Sequence, residues 1–221
     1  MSALRCAVLV SGSGTNLQAL LDAAGTHRLA GARIAVVLSN RPGVAALDRA
    51  SAAGVPAEVV DHRTFADRPA FEAALLDRVR SAGADLVVLA GFMRVLGPTF
   101  LGPFAGRIVN IHPSLLPAFP GIDAQRQAFA AGVRVTGCTV HFVDDSLDGG
   151  PIIAQAAVPV HADDDAESVR RRILAEEHRL LPEVIRWIAE GRVAVDGRRV
   201  TVAGAGRTDL TLVAPSLDVR G

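Results

Sequence analysis

Arg5-Cys-Ala-Val-Leu-Val-Ser-Gly-Ser-Gly-Thr-Asn-Leu-Gln18 sets the class of fold. An apolar strand (Arg5–Val10) passes through two glycines into a helix (Asn16–His27) carrying Leu17, Leu20 and Leu21 on one face. The alternation repeats downstream. Ile34–Leu38 predicts a second strand closed by the turn cluster Ser39-Asn40-Arg41-Pro42, Val44–Ala53 a helix, Ala57–Val60 a strand and Pro69–Ala82 a helix. Asp85–Ala90 and Arg107–Ile111 complete five strands. Strands buried on both faces and spaced by helices form a parallel sheet with right-handed crossovers.

The second half changes character. Asp123–Ala131 predicts a helix, and the β-rich runs Thr136–Val143 and Ile152–Val160 an antiparallel pair or an extension of the sheet edge. Asp163–Glu190 reads as a long amphipathic helix with Asp163, Asp164 and Asp165 in its first turn, kinked or split at Pro182. Arg192–Val195 and Arg198–Val202 flank Asp196-Gly197, a hairpin signal. No repeat or linker interrupts residues 1–203, read as a single domain; 204–221 carry no pattern and are expected to be a disordered tail.

The 221 residues suffice for a substantial core, and 23 basic residues balance 23 acidic ones. That balance gives no reason to expect a nucleic-acid or membrane partner. Every basic residue is arginine, which excludes a Schiff-base lysine and a lysine-dependent phosphate loop. Cys6 and Cys138 stand too far apart for a CxxC redox motif or a zinc knuckle, and fit a reduced, cytoplasmic compartment. There is no signal-peptide core and no apolar run long enough to span a bilayer.

Three motifs offer chemistry. In Ser11-Gly12-Ser13-Gly14-Thr15-Asn16, glycines allow a sharp turn and the helix start presents free N–H groups. The hydroxyls of Ser11, Ser13 and Thr15 add donors. A phosphate monoester fits, although a plain helix cap would use the same residues. Leu17 replaces the third glycine of a dinucleotide fingerprint. In Asn110-Ile111-His112-Pro113, two side chains on one face of a strand end unite an amide donor with an imidazole. In Asp148-Gly149-Gly150-Pro151, two glycines let a carboxylate approach closely, as they would in an ordinary turn. His27, His62 and His161 read as solvated, and His141 as a hydrogen-bonded structural histidine. Arg170, Arg171 and Arg172 read as a solvated face.

Together with Leu89-Ala-Gly-Phe-Met-Arg94 and Gly137-Cys-Thr-Val-His-Phe-Val143, these motifs resemble the phosphoribosylglycinamide formyltransferase family over roughly residues 5–203. The resemblance implies an open, twisted, mostly parallel α/β sheet with helices on both faces, Rossmann-like, and a C-terminal hairpin. It implies transfer of a formyl group from 10-formyltetrahydrofolate to the primary amine of glycinamide ribonucleotide, in purine biosynthesis, without a metal. By the same resemblance Asn110, His112 and Asp148 are catalytic, while Gly14, Thr15, Asn16 and Glu177 hold the ribonucleotide. Met93, Arg94, Val95 and Leu96, with Asp144, Asp145, Ser146 and Leu147, line the folate pocket, and Arg68 lies near the folate. Asp123 departs from the histidine of many relatives. Both substrates are small molecules, and a homodimer stays open.

The chemistry suits these residues. Amine attack places negative charge on the formyl oxygen, where Asn110 and a protonated His112 can donate hydrogen bonds. Asp148 would hold that ring and order a water carrying the amine proton to the departing folate nitrogen. A 10-formyltetrahydrofolate hydrolase would share the trio but carries an N-terminal regulatory domain, whereas this chain begins at strand one. Methionyl-tRNA formyltransferases add a C-terminal domain. A non-enzymatic phosphate- or nucleotide-binding module would keep its ligand after loss of the trio.

Overall fold

The computed structural model describes residues 3–206 and 211–215. In chain order the elements are β1 (Arg5–Val10), α1 (Thr15–Gly25), β2 (Arg33–Ser39), α2 (Ala45–Ala52), β3 (Ala57–Val59), α3 (Arg68–Ser81), β4 (Leu86–Leu89), α4 (Pro98–Leu101) and β5 (Ile108–His112). α5 (Ala124–Ala130), β6 (Val135–Phe142), β7 (Ile152–Pro159), α6 (Ala166–Ala189), β8 (Val193–Asp196) and β9 (Arg199–Val202) follow. Seven strands form one sheet in the order β3-β2-β1-β4-β5-β6-β7. β1 to β5 are mutually parallel, β6 is antiparallel to β5, and β7 is antiparallel to β6. The β-rich pair is thus both antiparallel and an extension of the edge. β8 and β9 form a separate hairpin.

The period-2 alternation of each strand builds two cores. Cys6, Val8 and Val10 of β1, Leu86 and Val88 of β4, and Val109 and Ile111 of β5 pack with Leu17, Leu20 and Leu21 of α1 and Val169, Ile173, Leu181 and Ile185 of α6. The intervening Ala7, Leu9, Val87, Leu89 and Ile108 face Phe71, Leu75 and Val79 of α3, with Phe92, Leu96 and Phe100. Asn110 and His112 share the parity of Ile108, so they project to this second face.

Three expectations are corrected. β3 is exposed at all three residues, because it forms the sheet edge rather than a doubly covered strand. α6 is not split at Pro182 and runs as one helix through it. A proline there removes one N–H and its bond to the carbonyl four residues earlier, yet Leu181, Pro182, Val184 and Ile185 are all buried against the sheet and hold the helix together. The aspartates Asp163 and Asp164 precede α6 rather than occupying its first turn. Asp165 is the N-cap, its carboxylate accepting from the Ser168 N–H in a reciprocal capping box. Asp164 instead forks onto Arg172, with contacts of 2.7 and 2.8 Å. Of the expected tail, residues 207–210 and 216–221 lie outside the described residues.

Candidate active site

The glycine loop, the Met93 segment and the Asn110–His112 pair lie where strands of the parallel set end, whereas Asp144–Asp148 follow the antiparallel β6 and Glu177 comes from α6. Gly14, at the start of α1, has φ +70°, and a Cβ there would lie 2.6 Å from the Ala46 Cβ. Only glycine lets the loop fold this closely onto α2. No side chain caps α1, so the N–H groups of its first turn stay free for an anion. Asn16 donates from Nδ2 to Glu177 Oε2 at 2.8 Å, which joins the loop to α6. Gly14, Thr15, Asn16 and Glu177 therefore form one locality. Glu177 is buried, and that burial raises its carboxyl above the ordinary value against the lowering effect of the Asn16 hydrogen bond.

Ser11 departs from its expected part as a ligand donor. Its hydroxyl is turned inward, donating to Asn40 Oδ1 at 2.6 Å and accepting from the Met93 N–H at 2.8 Å. The glycine loop is thereby tied to the segment after β4. His62, expected to be solvated, sits behind this pair with Nδ1 2.9 Å from the Asn40 carbonyl oxygen.

A cavity of about 320 Å³ opens on the second face, lined by Met93, Arg94, Val95, Leu96, Asn110, His112 and residues of the β6–β7 connection. Met93, Val95, Ile122 and Leu147 leave more than half of their surfaces exposed at its rim. That apolar rim suits an aromatic, flat ligand. Asp144, Ser146, Leu147 and Asp148 reach this cavity, whereas Asp145 and Arg68 do not line it. Arg68 is held by Glu72, whose Oε1 accepts from Arg68 Nε at 2.7 Å and from the Gly97 N–H at 2.6 Å. Asp123, with φ +55°, lines the cavity beside Ile122.

Asn110, His112 and Asp148 meet on the cavity wall. Asp148 Oδ2 accepts from the Gly121 N–H at 2.7 Å and lies 3.5 Å from His112 Nδ1. Its Oδ1 lies 3.5 Å from Asn110 Nδ2. His112 Nε2 faces the Phe119 carbonyl at 2.9 Å. Asp148 itself has φ +50°, and the following Gly149-Gly150 permit the approach, since a Cβ on Gly150 would collide with the Phe142 carbonyl oxygen. The 3.5 Å contacts are at the limit of hydrogen bonding, so Asn110 Nδ2, and His112 Nδ1 when the ring carries both protons, retain capacity for another acceptor.

His141, a hydrogen-bonded structural histidine on the sequence alone, lies beside the trio. Antiparallel register sets it directly opposite Asn110, on the same face of the sheet. Its Nδ1 lies 2.8 Å from the Phe142 carbonyl, which requires the proton on Nδ1 and leaves Nε2 as an acceptor for Asn110 Nδ2 at 3.2 Å. Burial lowers its affinity for a second proton below the ordinary value, ahead of the opposing Phe142 hydrogen bond and Asp148 charge. No pattern within either strand could have paired them; only the register between strands does.

The formyl transferase family matches this chain over residues 4–185. Phosphoribosylglycinamide formyltransferase of Escherichia coli strain K12 is 43% identical over 204 residues, covering 89% of this chain and 96% of that protein. The chain belongs to the phosphoribosylglycinamide formyltransferase family. Among solved structures of the family, glycinamide ribonucleotide transformylase 1 from Symbiobacterium toebii superposes with a TM-score of 0.89 at 55% identity, covering 91% of this chain and 94% of that one. The trifunctional purine biosynthetic protein adenosine-3 of Drosophila melanogaster is 47% identical over 196 residues. This chain spans only 14% of that protein's length, so it corresponds to one portion of it. Membership accounts for the Rossmann-like sheet, its antiparallel extension and the terminal hairpin. No helix among the described residues is long and apolar enough to cross a membrane.

Proposed function

We propose that this chain transfers the formyl group of 10-formyltetrahydrofolate to the amine of glycinamide ribonucleotide. The observation that carries this reading is the Asn110–His112–Asp148 cluster on the wall of an apolar-rimmed cavity. Ser11 joins the segment lining that cavity to an uncapped helix start suited to a phosphate. The folate occupies the cavity, its flat rings against Met93, Val95 and Leu147. The ribonucleotide's phosphate rests on Gly14, Thr15 and Asn16, and its amine reaches the formyl carbon beside Asn110.

As the C–N bond forms, charge collects on the formyl oxygen. The Nδ2–H of Asn110 that reaches Asp148 only weakly is the donor free to meet it, with His112 in its protonated form as the second. Donors so placed contribute on the order of a hundred- to a thousandfold each. Asp148, fixed by the Gly121 N–H, takes the attacking amine's proton through water and passes it to the departing folate nitrogen. The carbon–nitrogen bond to folate then breaks, leaving formylated ribonucleotide and tetrahydrofolate. Direct transfer needs no covalent intermediate on the protein.

Steady-state release of deformylated folate tests the proposal. Release that depends on glycinamide ribonucleotide and drops by several orders of magnitude in His112→Ala, with both ligands still bound, supports it. Ribonucleotide-independent release would instead make the chain a hydrolase, and binding without release would make it a ligand-binding module.

A further inference from the structure

The terminal hairpin reaches the loop that carries Asp148. Val193 of β8 and Val200 and Val202 of β9 pack against the first core, which moors the hairpin beside β7. Asp196 and Arg199 are paired across its strands, so the turn between them is Gly197-Arg198. Gly197, at φ +56°, suits the first position of such a two-residue turn. Arg198 therefore stands at the tip, an exposed side chain on a moored base. Its Nη2 donates to the Gly149 carbonyl at 2.6 Å, across 49 positions of sequence.

That carbonyl belongs to the residue directly after Asp148. Among the described residues, the backbone of 145–150 makes one hydrogen bond outside its own loop, and Arg198 supplies it. Gly149 and Gly150 have no side chains to anchor them, and glycine backbone is the freest to rotate. Asp148 carries φ +50°, a conformation that such a residue keeps only where its surroundings over-determine it. The Gly121 N–H fixes its carboxylate, and Arg198 fixes the peptide that follows.

We infer that Arg198 is a positioning residue for formyl transfer, pinning the Gly149 carbonyl so that the Asp148 carboxylate stays beside Asn110 and His112. This rests on the function proposed above. Arg198 does not line the cavity, so it acts through Asp148 rather than on a substrate. Two glycines left free would let Asp148 leave its place by an ångström or more, and each such placement subtracts from the competent fraction.

The test compares the full chain with Arg198→Met and Arg198→Lys, each also combined with Asp148→Asn. Arg198→Met should lower kcat about three- to tenfold, as expected for one solvent-facing hydrogen bond from a charged donor, with Tm nearly unchanged. Both KM values should stay within about twofold, and Arg198→Lys should recover part of the loss. In the Asp148→Asn background, Arg198→Met should lower kcat by less than about twofold further, because a residue acting through Asp148 has nothing left to position. An unchanged kcat, or the same fold-loss in both backgrounds, would overturn the inference. A rise confined to the folate KM would overturn it too, by making Arg198 a ligand contact. A second readout needs no turnover. The Gly121 N–H is held by Asp148, so its hydrogen exchange, followed by NMR, should quicken about three- to tenfold in Arg198→Met. If the unaltered chain shows no ribonucleotide-dependent release, the proposed function fails, and this exchange still judges the hairpin. Faster exchange would uphold its hold on Asp148, and unchanged exchange would refute it.

Discussion

Gly14→Ala separates what the glycine loop does for folding from what it does for ligands. Gly14 sits at φ +70°, where an L side chain costs about 1–2 kcal/mol. The new Cβ would also stand 2.6 Å from the Ala46 Cβ and 2.7 Å from its Cα. Unstrained carbon atoms keep roughly 3.5–4.0 Å. Ala46 cannot yield freely, being fully buried with its N–H on the Gly12 carbonyl at 3.2 Å. Overpacking of that kind adds about 1–3 kcal/mol. The expected total is a loss of about 2–5 kcal/mol, below the whole stability of a typical domain. Gly12→Ala is the control, since Gly12 is exposed, lacks a positive φ and has no atom within 4 Å of a built Cβ. It should stay within about 0.5 kcal/mol. Urea unfolding, extrapolated linearly, measures both. In kinetics, Gly14→Ala should raise the ribonucleotide KM well above any change in the folate KM. Equal stabilities for the two variants, or an effect confined to folate, would refute the reasoning.

Asp148→Asn preserves an acceptor for the Gly121 N–H but removes the carboxylate facing His112; kcat should fall about 10²–10⁴-fold with Tm nearly unchanged, and a kcat close to that of the unaltered chain would deny Asp148 its part. Gly150→Ala drives a methyl into the Phe142 carbonyl, so it should cost about 1–3 kcal/mol in urea and displace Asp148, lowering kcat as well; full activity would show that the loop has other ways to close. Glu177 has a raised carboxyl affinity for protons, so its contribution to stability is complete below its ordinary value of 4.5 and fades as pH rises through the raised one. Glu177→Gln keeps an acceptor for Asn16 and should therefore lose less stability than the unaltered chain as pH rises above 4.5; parallel Tm curves would contradict this.

What the amino-acid order made legible follows locality. The strand–glycine–helix alternation places β1 to β5 and their helices within a few residues, because each depends on periodicities inside one segment. Asn110 and His112 share a face for the same reason. Asp148 lies 38 positions from Asn110, so its arrival rests on motif resemblance until the β6–β7 connection is seen to turn back. His141 needs the antiparallel register, and Ser11 needs the depth of the loop, since a hydroxyl near a glycine gives no sign of facing inward. The sequence places Arg68 near the folate but does not reveal that the buried Glu72 ties it to the Gly97 N–H. Pro182 shows tertiary burial overriding a local helix breaker.

The two cysteines bear on the fate of an activated formyl group. Cys6 and Cys138 are both buried, and burial pushes each thiol up to about 12. The chain also contains no lysine. Neither a thiolate nor an ε-amine of the protein is therefore on offer to intercept the formyl carbon. The molecule handles an electrophile without a reactive thiol or a lysine amine of its own, so acyl capture has no route at these residues. The same property makes it a clean host for a single engineered cysteine at Leu147, where a thiol-directed probe would report on the cavity rim without competing labels.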